Sequence, residues 1–436
     1  MEAYASCAIL ALVSAMSLIP AAASVTELRA RGYSLIPTPQ RLELQETDLT
    51  VEPTWGLTLQ NVDRDDIAVQ TLLAGLRDHG LELQGTADAA SQFRLAIRQD
   101  AVTTNTDPER QAQAYLLQMR PTAVEIVGNT AQGLFYGVQT VLQLLRPIGP
   151  ARLALPAGTI GDWPAYQLRI LHWDTKHHQD RIETLKRYLD WSARFKINAI
   201  AWELEDKFEY PSHPVIGAPG AFTTAQIQEL VRYGLQRYIQ IIPDIQAPAH
   251  MAYVLKHPEF AHLRSDGSNY QICMCCDEAI RLIFDMYQDV LEATEGVDYF
   301  FVSTDEVYYA GIDPRCQRPY NPLNRSLTWV EFVNRAHRFL SERGRRVLIW
   351  AEYPLLTEHV HLLPPDIIDG IIGGNEEFIR AENQRGIRQL AYVPIQGSEK
   401  PFPNYFTYQR HGQHTPGRLA AVYEGTLRGK ASRGNP

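Results

Sequence analysis

From residue 167 onward the chain switches repeatedly between two hydrophobic periods, and this alternation limits the fold more than any other feature. Strand-type runs at 167–173, 198–204, 239–245, from Tyr299, 345–350, 367–373 and 389–395 are separated by helix-type stretches at 180–195, 224–238, 277–293 and 327–343. Strand, helix, strand units of this length imply parallel crossovers, which leave helices outside a parallel sheet. No point where the strand order would reverse is visible. Seven such strands therefore point to an α/β fold of the (β/α)8 TIM type rather than to an open sheet. Residues 165–436 are assigned to it. Beyond the seventh run, 397–406 reads as a loop, 416–427 as a helix, and 428–436 is polar and glycine-rich, unsuited to a buried strand. The expectation is a barrel that lacks its last strand, weakly active and prone to associate through unpaired edges.

A chain of 436 residues exceeds the usual single domain, and the part before the barrel supplies a second one. Residues 25–160 mix helical runs at 66–80 and 130–145 with strand runs at 93–99, 114–117 and 124–127, a small α/β domain preceding the barrel. It holds no cluster of acids, histidines or cysteines and reads as structural. Residues 7–23 are apolar and end in small residues, the pattern of a signal peptide removed near Ala23, so the protein is expected to be secreted or periplasmic. That run is too short and proline-broken to span a bilayer. A net charge of -9 with no basic run argues against a nucleic-acid partner. Five cysteines occur; the spacing of Cys273, Cys275, Cys276 and Cys316 matches no zinc pattern, so a disulfide or buried thiols are expected and no metal.

The C-terminal ends of barrel strands face the substrate. There the sequence puts Asp174, Lys176 and His177; Glu203, Glu205 and Asp206; Asp244 and His250; Asp305 and Glu306; Trp350 and Glu352. Taken singly, each is explained by a solvated acid, a structural histidine or a core tryptophan. Five strands furnishing one rim point to a common site. Carboxylates with aromatic plates suit a sugar, whose hydroxyls need acceptors and whose ring has an apolar face. Two-carboxylate glycosidases hold their acids roughly 5 to 9 Å apart across the scissile bond. Asp305 and Glu306 are adjacent, and neighbours on a strand face opposite ways, so they share a site only where the strand has ended. Such a pair suits a mechanism in which one acid protonates the leaving oxygen and the other steers a nucleophile within the substrate.

Thr304-Asp305-Glu306 at the end of the fourth strand resembles the Asp-Glu signature of the family-20 glycoside hydrolases, the β-N-acetylhexosaminidases. The run from Val302 to Tyr309 is similar to the branch that includes hexosaminidase D, as are His172-Trp173-Asp174-Thr175-Lys176, Glu205-Asp206-Lys207-Phe208 and the segment from Pro248 to His257. The resemblance implies hydrolysis of terminal β-linked N-acetylhexosamine with retention, no cofactor, and a glycan substrate. It makes Glu306 the general acid/base and Asp305 the acid that orients the 2-acetamido group as internal nucleophile, an arrangement outside the usual two-carboxylate scheme. His250 matches a third-strand histidine braced by an acid such as Asp244, and Trp350 a pocket tryptophan. Asp174, Lys176, Glu205 and Glu352 complete the expected sugar contacts. Lys176 stands where many members carry arginine, a point charge in place of a fork, and Tyr392 is the candidate for the family's seventh-strand tyrosine. Two rivals stay open: a catalytically impaired carbohydrate-binding protein on the same barrel, and a conventional glycosidase using Glu203 or Glu205 with Glu306.

Overall fold

The computed structural model describes residues 21–175, 178–351, 354–371 and 375–391. The chain divides into one unit up to Gln167, joined by Ala193–Lys196, and a second from Leu168 on. In the first unit the elements run α1 (Ala21–Ala30), β1 (Arg41–Val51), β2 (Gly56–Gln60), α2 (Ile67–Asp78), β3 (Gln92–Ile97), α3 (Pro108–Ala112), β4 (Tyr115–Arg120), β5 (Ala123–Gly128), α4 (Ala131–Leu144), β6 (Arg146–Gly149) and β7 (Arg152–Asp162). The sheet order is β1-β7-β4-β5-β3-β2, with β6 beside β7. Its helix α4 starts where the Thr130 side chain accepts from the Gly133 amide, and it is buried along most of its length, Gln139 and Thr140 included.

Four strands of this sheet, β1, β2, β6 and β7, fall outside the runs expected from periodicity, and for two of them the reason is visible. In β1 the ladder slips between Leu44 and Asp48, so its buried residues Leu42, Leu49 and Val51 do not keep one alternation. In β7 the sequence contains Pro156, Gly158 and Gly161, residues that ordinarily argue against a strand.

The second unit runs β8 (Ile170–Asp174), α5 (Ile182–Arg194), β9 (Ala199–Glu203), α6 (Thr224–Leu235), β10 (Gln240–Gln246), α7 (Ala252–Leu255), α8 (Asp277–Ala293), β11 (Tyr299–Ser303), α9 (Leu327–Ser341), β12 (Arg346–Ile349), β13 (Ile368–Ile371), α10 (Glu376–Arg385) and β14 (Arg388–Ala391). All seven strands are parallel, and each pairs with the next in sequence, from β8 through β14. That sequential order is the singly wound order of a TIM-type barrel and has no reversal point. Helix α6 begins at a reciprocal cap in which Thr223 and Gln226 each satisfy the other's amide. Helix α8 opens with Asp277 and Glu278 at its positive end and buries Ile280, Ile283, Met286, Tyr287 and Val290 on one face. Strands β9 and β11 are buried throughout, so the first polar groups able to meet solvent lie past their C-terminal ends. The stretch from Tyr392 to residue 436, on which the expectation about a last strand rests, lies outside the described residues. No helix among the described residues is long and apolar enough to cross a membrane.

Candidate active site

Residues on one rung of a parallel ladder share a face. One rung joins Asp174 of β8, Glu203 of β9, Asp244 of β10 and Phe301 of β11. His172, two positions back on β8, shares that face. Its Nε2 lies 3.2 Å from Asp244 Oδ2 and 3.7 Å from Glu203 Oε2, and Gln246 donates to Glu203 Oε1. Both carboxyls are fully buried, and a buried acid is tolerated only with such partners. Burial raises the Asp244 pKa, His172 opposes the rise, and the charge of Asp305 adds to it.

Above this floor β11 ends at Ser303, and the next residues leave strand geometry. Thr304 is buried; its hydroxyl donates to the Trp350 carbonyl at 2.9 Å and accepts from the Trp350 amide at 3.3 Å, which continues the β11–β12 pairing beyond the ladder. Ser303 donates to Asp305 Oδ1 at 3.2 Å. Glu306 has φ +51, a left-handed conformation that a non-glycine residue keeps only when its surroundings enforce it, at a cost of roughly 1–3 kcal/mol. The result is that both carboxyls reach one imidazole. His250 Nε2 lies 3.0 Å from Glu306 Oε2 and 3.5 Å from Asp305 Oδ2. His250 itself has φ +55 and Glu205 φ +38, so three of the rim's polar residues hold strained backbone, a pattern found at functional sites.

The His250 loop is fastened by Tyr270. The Met251 amide donates to the Tyr270 carbonyl at 3.0 Å, the Tyr270 ring meets the His250 ring edge-on at 5.1 Å, and its hydroxyl donates to the Glu306 carbonyl at 3.0 Å. Burial, reinforced by the Glu306 charge, raises the Tyr270 phenol well above its usual range, so it stays a donor. Two disulfides close the neighbourhood, Cys273–Cys276 and Cys275–Cys316. The second joins the Tyr270 segment to the loop after Glu306 across a separation of 41 residues, a closure worth about 4 kcal/mol on the chain-entropy account. Asp313 lies near the first disulfide, but its carboxylate is gripped at both oxygens by Arg315, at 2.8 and 2.6 Å.

Trp350, just past β12, packs its indole against Phe301 at 4.9 Å and near His172 at 6.3 Å. Gly370 of β13 makes room for it: a Cβ there would stand 2.2 Å from Trp350 Cζ3 and 2.4 Å from Cε3. A rigid ring already packed against Phe301 cannot yield cheaply. Gly370→Ala is therefore expected to lower unfolding stability by about 1–3 kcal/mol and to alter the near-UV signal of the tryptophan. Denaturant titration followed by both signals checks this, and an unchanged midpoint would show that the indole has space to move.

Asp174, Glu205, His250, Asp305, Glu306 and Trp350 all lie at the strand ends expected of them, and the structure joins His250 to Asp305 and Glu306. The expected bracing of His250 by Asp244 is corrected: Asp244 is fully buried and meets His172, so it supports the floor of the site. Lys176, His177, Glu352 and Tyr392 lie outside the described residues. His172, Gln246, Ser303 and Tyr270 belong to the site without having been candidates. The alternation along β8 and β10 placed His172 and Gln246 on the faces of Asp174 and Asp244, a usable signal; Tyr270 carried none.

Comparison with known proteins matches both parts of the chain to one family. The model of glycosyl hydrolase family 20, domain 2, matches residues 32–163, and that of the glycosyl hydrolase family 20 catalytic domain matches residues 166–388. A beta-hexosaminidase of Porphyromonas gingivalis is 25% identical over 367 residues, 74% of this chain and 46% of its own length. Hexosaminidase D of Homo sapiens is 31% identical over 149 residues, 34% of this chain and 30% of its own length. The chain thus spans about half or less of the curated relatives it matches. Among solved structures, the exo beta-N-acetylglucosaminidase of Vibrio harveyi superposes with a TM-score of 0.66 at 21% identity, covering 81% of this chain and 60% of the other. The beta-N-acetylhexosaminidase of Streptomyces coelicolor A3(2) gives 0.66 at 19%, covering 85% and 78%. At those identities the likeness is one of fold. With its catalytic-domain match covering more than half of the sequence, the chain belongs to glycosyl hydrolase family 20.

Proposed function

We propose that the protein hydrolyses terminal non-reducing β-linked N-acetylhexosamine residues, with retention and by substrate assistance. The observation that carries this reading is the pair of adjacent carboxyls gathered on His250 at the end of the fourth barrel strand. Two adjacent acids gathered on one imidazole approach a substrate from one side, whereas two-carboxylate enzymes place theirs on either side of the scissile bond. They suit a division of labour in which Glu306, more than half exposed, gives its proton to the leaving oxygen and later takes one from water. Asp305 is more sheltered and fixed by Ser303. Its anion orients the 2-acetamido group, whose carbonyl oxygen attacks the anomeric carbon, and stabilises the positive charge that develops on the acetamido nitrogen. Trp350 offers an apolar wall to that group, and Asp174 and Glu205 lie on the rim where hydroxyls are held.

The beta-hexosaminidase names of the curated relatives support the same substrate class. Glu203 does not serve as a nucleophile in this reading, because it is fully buried beside His172 and Gln246. Nothing in the geometry favours a carbohydrate-binding protein without turnover. Export is part of the proposal: two disulfides support an oxidising compartment.

The test is hydrolysis of paired chromogenic glycosides by the purified chain. The β-N-acetylglucosaminide is expected to be cleaved and the β-glucoside, which lacks the internal nucleophile, to be left intact. Cleavage of both at similar rates would replace substrate assistance with a protein nucleophile, and cleavage of neither would leave a binding protein.

A further inference from the structure

Among the described residues twelve large apolar side chains stand more than a third open to solvent, and three of them, Tyr308 at 38%, Tyr309 at 49% and Ile312 at 38%, fall in the stretch 308–312. Exposed apolar residues scattered singly need no explanation, but a cluster beside two catalytic carboxyls does. The aromatic rings form a row. Tyr270, whose hydroxyl holds the Glu306 backbone, stacks on Tyr308 with ring planes 19° apart and centroids at 6.0 Å. Tyr309 follows at 6.3 Å from Tyr308 and meets Tyr320 edge-on at 5.5 Å.

The loop that carries the row is held in place before any ligand arrives. Gln271 donates to the Tyr309 carbonyl at 3.1 Å, and the Tyr320 amide donates to the Gly311 carbonyl at 3.0 Å. Gly311 turns the chain with φ +86, and a side chain there would strike the Arg318 carbonyl at 2.4 Å. The Cys275–Cys316 disulfide locks the loop's far side. Rings that are both exposed and immobile lose little ordering entropy when something lies on them.

What lies on them follows from the general acid, and so rests on the proposed hydrolase reading. Glu306 delivers its proton to the glycosidic oxygen, so the departing group occupies the space next to Glu306, where the tyrosines begin. An aromatic face suits the apolar C–H face of a pyranose ring. We propose that Tyr308, with Tyr309 beside it, is a stacking platform for the leaving sugar, so that the chain acts on the ends of glycans whose penultimate sugar presents such a face.

The experiment compares kcat/KM for a disaccharide bearing a terminal β-N-acetylglucosamine with that for the methyl β-N-acetylglucosaminide. The two have similar alkoxide leaving groups, but only the first has a ring to stack. The disaccharide-to-methyl ratio is expected to fall about tenfold in Tyr308→Ala and to stay within about twofold of wild type in Tyr308→Phe. A ratio unchanged in Tyr308→Ala, whether or not both rates fall together, overturns the platform and leaves the hydrolase reading standing. A wild-type chain that cleaves neither glycoside overturns both.

Discussion

Glu306→Gln is expected to slow hydrolysis of an unactivated β-N-acetylhexosaminide by about two to four decades, the usual worth of a positioned general acid. The loss should be far smaller with a dinitrophenyl leaving group, which departs without needing a proton. The substitution is close to isosteric, and the contact that fixes this stretch, from the Tyr270 hydroxyl to the Glu306 carbonyl, involves the backbone and survives it. A fall in rate therefore reports the proton and not a displaced loop. The Glu306 side chain is 53% exposed, so an amide in its place buries no new polar group, and unfolding stability should stay within about 0.5 kcal/mol. Equal losses on the activated and unactivated substrates would remove Glu306 from the acid role.

The parts of this molecule that could be read from sequence are those whose causes are local. Thr223 and Gln226 announce the start of α6, and the 3.6-residue period of α8 marks its bounds, because capping and amphipathicity act within a few residues. The Thr304-Asp305-Glu306 run was legible for the same reason, since a buried strand ending in adjacent acids constrains where those acids go. Helix α10 was not foreseen: half of its residues are charged, Phe378 is its one buried apolar side chain, and its start depends on the Asn375 cap. The pairing of His172 with Asp244 spans 72 positions, and which buried acid a histidine meets is decided by strand register, which a sequence does not print. Tyr270 was invisible because its role is to close a loop on Glu306 from another loop, with the Cys275–Cys316 bridge beside it.

Asp305→Ala is expected to lower kcat by about two to three decades, whatever the leaving group, since it removes a preorganised charge from the step in which the oxazolinium ion forms. This independence of leaving group separates it from Glu306→Gln. Asp305→Asn keeps the volume and leaves an oxygen for the Ser303 hydroxyl, so comparing it with the alanine variant separates charge from packing. A thiazoline mimic of the cyclised acetamido group adds a check that does not depend on turnover. An enzyme built around the oxazolinium should bind the thiazoline at least about a hundredfold more tightly than N-acetylglucosamine, because intermediate-like ligands draw on groups that act in the transition state. The preference should shrink in Asp305→Ala by about the factor lost in kcat, whereas Glu306→Gln should largely retain it. His250 touches both carboxyls, so its replacement should reduce the rate and the thiazoline preference together. If the wild-type chain binds the thiazoline no better than the product sugar, the acetamido group is not the nucleophile, and Asp305 is left as a structural partner of Ser303 and His250.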